Sequence, residues 1–212
     1  MSSKNSVYAF VDIETTGSRA NLDRITEVGI ITLENNEVSE WTQLINPGVS
    51  IPSGIQKLTG ITNAMVESKP SFDEVAEDLY LELKDKIFVA HNARFDFSFL
   101  KAEFKRLSIE FSPKVVCTVK LSRRLFPSQA RHNLDTLIAV HGLEVTNRHR
   151  ALDDAKLLYQ FWQKCESLFG YEKLAAEVDY LLGRPSLPSH IDRELIDEIP
   201  NRPGVYLFYS EN

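Results

Sequence analysis

Asp12 and Glu14 stand two residues apart in Val11-Asp12-Ile13-Glu14, at the end of an alternating apolar run. On an extended backbone that spacing sends both carboxylates to one face, at a strand end of the kind where α/β proteins place their active sites. Two like charges held together there need a cation. The next residues, Thr15-Thr16-Gly17, add hydroxyls and a flexible turn. A third acid, Asp96, lies in His91-Asn92-Ala93-Arg94-Phe95-Asp96, in the first turn of an expected helix for which Asn92 is a suitable N-cap. The fourth, Asp154, belongs to His149-Arg150-Ala151-Leu152-Asp153-Asp154 at the start of a long amphipathic segment. Successive helical residues are rotated by about 100°, so Asp154 joins the inward stripe of Ala151, Ala155 and Leu158 while Asp153 points out with Lys156 and Gln160. An acid turned toward a core needs a partner. Taken singly, each cluster has a plainer reading: a surface carboxylate pair near a turn, an acid complementing a helix dipole, a histidine capping a helix.

The elements that must carry these residues follow from hydrophobic periodicity. Val7, Ala9, Val11 and Ile13 alternate with Tyr8 and Phe10, so both faces of the first strand are apolar and it reads as a central, covered strand. The β-branched runs over 25–33 and 38–45, separated by Glu34-Asn35-Asn36-Glu37, predict a hairpin or meander beside it. Ser71 caps an expected helix in which Val75, Leu79 and Leu83 repeat every four residues, and 87–90 reads as a buried strand. Helices are expected over 93–107, 118–125, 133–141 and 150–168. A three-stranded antiparallel start followed by alternating strands and helices predicts an α/β domain over 1–182, a mixed β-sheet flanked by α-helices. The turn-rich 183–200 reads as a linker, with Gly204-Val205-Tyr206-Leu207-Phe208-Tyr209 as the first strand of something further.

Cys117 and Cys165 are the only cysteines of the 212 residues and show no CxxC spacing, so any metal here is held by oxygen or imidazole. No apolar run reaches the length needed to span a bilayer, and the first residues lack the pattern of a signal peptide, which predicts a soluble, cytoplasmic protein. The formal charge of -6 argues against nucleic-acid binding by bulk attraction. Within 101–131, however, eight basic residues face only Glu103 and Glu110. One face of an acidic protein is thus expected to be basic, unless those charges form a solvated, salt-bridged surface. His91, His132, His141 and His190 share no metal-ligand spacing; His132 and His141 read as solvated or core-edge residues and His91 as support for the Asp96 segment.

Taken together, Asp12-x-Glu14, Asp96 and His149-x-Ala151-x-x-Asp154 closely resemble the three motifs of the DnaQ-like (DEDDh) exonuclease family. The resemblance runs from about Val7 to Phe169 and is most similar to the proofreading epsilon subunit of bacterial DNA polymerase III. It implies a ribonuclease H-like fold in which Asp12, Glu14, Asp96 and Asp154 hold two divalent ions, Mg²⁺ or Mn²⁺, and His149 is the general base. Hard oxygen ligands suit those ions, and a neutral imidazole can accept a water's proton at physiological pH. Thr15 is implied to lie near the terminal nucleotide, with Thr16, Ile61 and Asn92 as further substrate contacts; Thr59-Gly60-Ile61-Thr62 stands where family members often carry His-Gly-Ile-Thr. Arg131, in the basic stretch 120–131, is expected to line the path of a single strand.

The activity implied is 3′ to 5′ hydrolysis of single-stranded or frayed DNA ends, releasing nucleoside 5′-monophosphates, in proofreading or repair and in company with a polymerase or repair complex. An RNA-trimming exonuclease and a non-catalytic accessory module are the rival readings. Pro203-Gly204-Val205-Tyr206-Leu207-Phe208 resembles the opening strand of a GIY-YIG nuclease domain of the UvrC type, so 201–212 is expected to begin such a domain, whose remaining motif residues are not in the sequence. Ser186-Leu187-Pro188 is faintly similar to sliding-clamp peptides but lacks their leading Gln.

Overall fold

The computed structural model describes residues 6–183. Apart from Gly183, the expected linker, the GIY-YIG-like segment over 201–212, Ser186-Leu187-Pro188 and His190 lie outside the described residues. Five strands form one mixed sheet, in the order β3-β2-β1-β4-β5. Strand β1 (Tyr8–Thr15) sits at its centre, antiparallel to β2 (Ile25–Glu34) and parallel to β4 (Ile87–Ala90). The edges are β3 (Glu37–Leu44), antiparallel to β2, and β5 (Val115–Cys117), parallel to β4. Asn35 and Asn36 both adopt left-handed backbone (φ 49° and 68°), the geometry of a two-residue hairpin turn between β2 and β3.

The double-sided strand is covered on both faces, as its pattern predicts. Tyr8 and Phe10 pack with Leu121, Leu137, Leu158, Phe161 and Trp162 from α5 (Thr118–Leu125), α6 (Leu134–His141) and α7 (Ala151–Phe169). Ala9, Val11 and Ile13 pack with Val75, Leu79, Phe99 and Phe104 from α3 (Phe72–Leu83) and α4 (Arg94–Arg106). A buried Phe or Leu contributes about 1.5–3 kcal/mol. Two such layers therefore supply the stability against which an electrostatically unfavourable site can be held.

Ser71 fixes the start of α3 as expected: its N–H and its hydroxyl both donate to Glu74 Oε2, each at 2.8 Å. Asn92 does not cap α4. The helix starts at Arg94 with Ala93 at the N-cap and no side-chain cap, because Asn92 is committed to a left-handed turn (φ 56°) between β4 and the helix. Four elements go beyond those expected from the sequence: α1 (Ser53–Thr59), α2 (Asn63–Val66), β5, and α8 (Tyr171–Leu182), although Leu174, Val178 and Leu181 of α8 recur at helical spacing. The first three are too short to show a period, and α8 is cut from α7 by Gly170 alone, at φ 79°. Among the described residues, no helix is long and apolar enough to cross a membrane.

Candidate active site

Period-2 alternation places Asp12 and Glu14 on the same face of β1 as Tyr8 and Phe10, the face covered by α7. Helix α7 is seated on that face by close packing. At Gly29 of β2, a Cβ would stand 2.2 Å from the Leu152 nitrogen and 2.3 Å from the Ala151 carbonyl carbon, so only glycine lets the helix start approach the sheet. Glu27, opposite Glu14 in the register, accepts from the Ala151 N–H at 2.9 Å and from Arg150 Nη2 at 2.6 Å. A strand carboxylate thus does for the N-terminus of α7 what no side chain of its own does, and complements its dipole. One turn further on, Asp154 is buried, whereas Asp153 accepts from Asn147 Nδ2 at 3.3 Å on the outer side.

Asp96 reaches the same strand end from the other layer. It is buried in the first turn of α4, where the backbone N–H groups of Ile13, between the two β1 acids, and of Asp96 itself favour its ionised form. His149 lies in the turn before α7, also in left-handed backbone (φ 61°). Ligand atoms of Glu14, His149 and Asp154 all lie within 4.8 Å of one another. Asn92 and His149, the turn residues ahead of Asp96 and Asp154, share that less populated conformation, a form of local strain that concentrates at functional sites.

The electrostatics are unfavourable for a protein alone. Burial pushes the Asp12 carboxyl well above its ordinary range, and the charges of Asp96, Asp154 and Glu14 push further the same way. Glu14 is pushed up to about 8 by burial and by Asp154, Glu27 and Asp96. Asp96 is raised to about 7 by burial, against the pull of backbone N–H groups. Asp154 is raised by burial, opposed by Arg148, which donates from Nη1 to its Oδ2. The other oxygen of Asp154, Oδ1, is buried without a hydrogen-bond partner. An oxygen-rich cluster short of positive charge, with an unmatched carboxylate oxygen, fits divalent ions of the Mg²⁺ or Mn²⁺ type.

Residues 9–161 match the exonuclease family RNase_T. The chain belongs to that exonuclease family. It is 39% identical over 167 residues to the 3′-5′ exonuclease DinG of Staphylococcus haemolyticus strain JCSC1435, covering 76% of this chain. The corresponding protein of Staphylococcus aureus strain MRSA252 is matched at the same identity and coverage. The chain spans only 19% of the length of these relatives. Exonuclease X, solved with 5′ overhanging duplex DNA, superposes at a TM-score of 0.65 with 26% identity, over 81% of this chain and 99% of that one. Exonuclease I shares the fold, at a TM-score of 0.71 with 19% identity, over 84% of this chain and 43% of that one. The DnaQ-like assignment and its ribonuclease H-like sheet are thereby shown.

In this exonuclease fold the remaining expected contacts are more dispersed. The Thr15 hydroxyl donates to the Gly17 carbonyl at 2.6 Å, and that of Thr16 accepts the Arg24 N–H at 3.0 Å, so both shape the loop after β1. Ile61 is fully buried with Ile51 and Val66 in a small separate cluster. Asn92 is exposed beside the Asp96 turn. Arg131 is exposed and lines, with Arg123, His132 and Asn133, an open cleft of about 550 Å³. The basic stretch is only partly available: Arg106 pairs with Glu103, and Arg124 pairs with Glu177 and lies 3.5 Å over the Tyr180 ring. His91 binds the Thr118 hydroxyl through Nδ1 at 2.9 Å and is pushed down to about 4 by burial and the Arg148 charge, so it stays neutral and supports its turn.

Glu27, Gly29 and Arg148 were not legible as site residues. The signal for Glu27 was present: an acid inside a β-branched run of 25–33 must find a buried partner. Arg148 carries no such signal, since its relation to Asp154 and Asp135 exists only in three dimensions.

Proposed function

We propose that this domain is a metal-dependent 3′-5′ exonuclease acting on single-stranded or frayed DNA ends and releasing nucleoside 5′-monophosphates. The observation that carries the reading is the convergence of Asp12, Glu14, Asp96, Asp154 and His149 at one strand end, in a family of exonucleases, with too little positive charge for the acids. Its DinG relatives are named 3′-5′ exonucleases, and the matched exonuclease X was solved with DNA.

The four carboxylates are the ligands for two divalent ions. When bound, such ions ease the ionisation of a water and stabilise the negative charge that develops on the departing 3′ oxygen. The residues of the chain do the rest. His149, beside Glu14 and Asp154, takes the proton from the attacking water at a ring nitrogen. Asp96, buried in the first turn of α4, and Asp154, anchored through α7, hold their carboxylates in place before any ligand arrives. The loop shaped by Thr15 and Thr16 receives the terminal nucleotide, with Asn92 and Ile61 as further substrate contacts. Arg123 and Arg131 guide the strand through phosphate contacts, which carry no sequence information. We place this unit at 1–182 and its work in DNA proofreading or repair in the cytoplasm, alongside a polymerase or repair complex.

The test uses end-labelled linear DNA, linear RNA and circular single-stranded DNA with Mg²⁺, Mn²⁺ or EDTA. Release of labelled mononucleotide from linear DNA with a divalent ion, and none from circles or in EDTA, is expected. Cutting of circles or undiminished activity in EDTA contradicts the reading, and preferential digestion of RNA reassigns the substrate.

A further inference from the structure

Among the described residues, Arg148 is the one cation paired directly with a site acid, and its guanidinium is divided between two carboxylates of very different exposure. Nη1 donates to Asp154 Oδ2, whose side chain is 7% exposed; Nη2 and Nε donate to Asp135 Oδ1 at 3.0 and 3.4 Å, and that side chain is 76% exposed. The two partners also belong to different elements. Asp154 is on α7, and Asp135 is in the first turn of α6, whose start is fixed by Asn133 accepting the Thr136 N–H at 3.1 Å. A small rotation of the side chain would break the inner bond while leaving the outer one intact.

A guanidinium does not lose its proton in a protein, so Arg148 cannot neutralise itself when another cation arrives. Nor can it remain on the carboxylate oxygen that a divalent ion takes. We propose that Arg148 is an internal counter-cation of the metal-free site: it holds Asp154 until a divalent ion displaces it, and is then retained by Asp135 alone. This rests on the reading of the four acids as metal ligands. It makes Arg148 a positioning residue with two consequences of opposite sign. Before loading, it relieves the repulsion among buried acids and keeps Asp154 in register; during loading, it competes with the ion.

Calorimetric Mn²⁺ titration of the EDTA-stripped full chain, paired with thermal denaturation in EDTA, tests this in wild type, Arg148→Met, Arg148→Lys and Asp135→Asn. Arg148→Met is expected to bind Mn²⁺ about tenfold more tightly than wild type and to melt at a lower temperature in EDTA. Arg148→Lys, which keeps the charge, should stay within about threefold of wild type. Asp135→Asn, which leaves the displaced guanidinium without its second carboxylate, should bind about threefold more weakly. Equal or weaker binding by Arg148→Met overturns the proposal, since that is what mere structural support of Asp154 would give. If that variant does not fold, equal or tighter binding by Asp135→Asn overturns it instead. Absence of Mn²⁺ binding in wild type defeats the metal reading itself, and this inference with it.

Discussion

Among the described residues, buried and half-buried acids occur in two kinds of surroundings. Glu103 is held by Arg24 at 2.7 Å and Arg106 at 2.9 Å, Glu177 by Arg124 and by Lys173 at 2.6 Å, and Glu27 by Arg150 at 2.6 Å. Asp96 and Asp154 raise the pKa of both Asp12 and Glu14, and among the described residues Arg148 is the cation that opposes this for both. The chain therefore carries the means to neutralise a buried carboxylate and uses it where the acid is a strut. Where the acids converge, it leaves the charge unbalanced. A structural ion pair is complete within the protein; on the proposed metal-dependent function, the acid cluster is completed by ions from solution.

The contrast breaks most visibly if neighbouring acids on α7 prove equivalent. Asp154→Asn keeps the shape but removes a charge from the cluster, and cleavage of a labelled linear strand should fall to background. Asp153→Asn should retain near wild-type turnover. Equal losses in two folded variants would mean that burial does not distinguish them. Next in size, His149→Ala should lower single-turnover rates about 10²- to 10⁴-fold while leaving calorimetric Mn²⁺ affinity largely intact. A loss of affinity matching the loss of rate would make the histidine a ligand.

Stability sharpens the contrast further, because the same chemical change should act in opposite directions. Glu103→Gln leaves Arg24 and Arg106 facing a neutral group and should cost about 1–3 kcal/mol in urea denaturation. Asp12→Asn, measured in EDTA, should instead stabilise the protein by about 1–2 kcal/mol, the exchange of stability for function expected at a strained site. Destabilisation by both would erase the distinction. Gly29→Ala, which drives a Cβ into the backbone of α7, should cost about 1–3 kcal/mol and impair cleavage together. The smallest expected effect is at Asp153, whose asparagine variant should change stability by only about 0.2–0.5 kcal/mol, since Lys156 pairs with Glu40 instead.

Much of this arrangement was legible in the sequence because it depends on local period. The two-residue spacing of Asp12 and Glu14 fixes their common face, and the rotation between Asp153 and Asp154 decides which is buried. The double-sided strand and its hairpin partner follow from the same rule. What escaped depends on contacts far apart in the chain. Glu27 meets Arg150 and the start of α7 across 123 or more residues, and Gly29 matters only because a helix lies against it. Charge counting over 101–131 overstated the free basic surface, because Arg106 and Arg124 are spent on Glu103 and Glu177. The Asn92 cap failed for a related reason: the turn that delivers Asp96 to β1 needs a left-handed residue more than the helix needs a cap.

The central claim, that the acid cluster is left for divalent ions to complete, is tested most directly by thermal denaturation of the full chain between pH 6.5 and 8.5, in EDTA and in Mg²⁺. Asp96, raised to about 7, and Glu14, raised to about 8, hold protons in the folded state that the unfolded chain has already released. Their contribution to stability is complete below the ordinary carboxylate pKa and is lost as pH rises through 7 and 8. His141 and His91, whose pKa values are depressed by burial, weaken the fold as pH falls through their unfolded value near 6.5 and so oppose this trend at the acid end of the range; the fall is therefore read above about pH 7.5. The account predicts a melting temperature that falls with rising pH in EDTA, and a stabilisation by Mg²⁺ that grows over the same range. A flat or rising curve in EDTA, or curves that coincide with and without Mg²⁺, would contradict it.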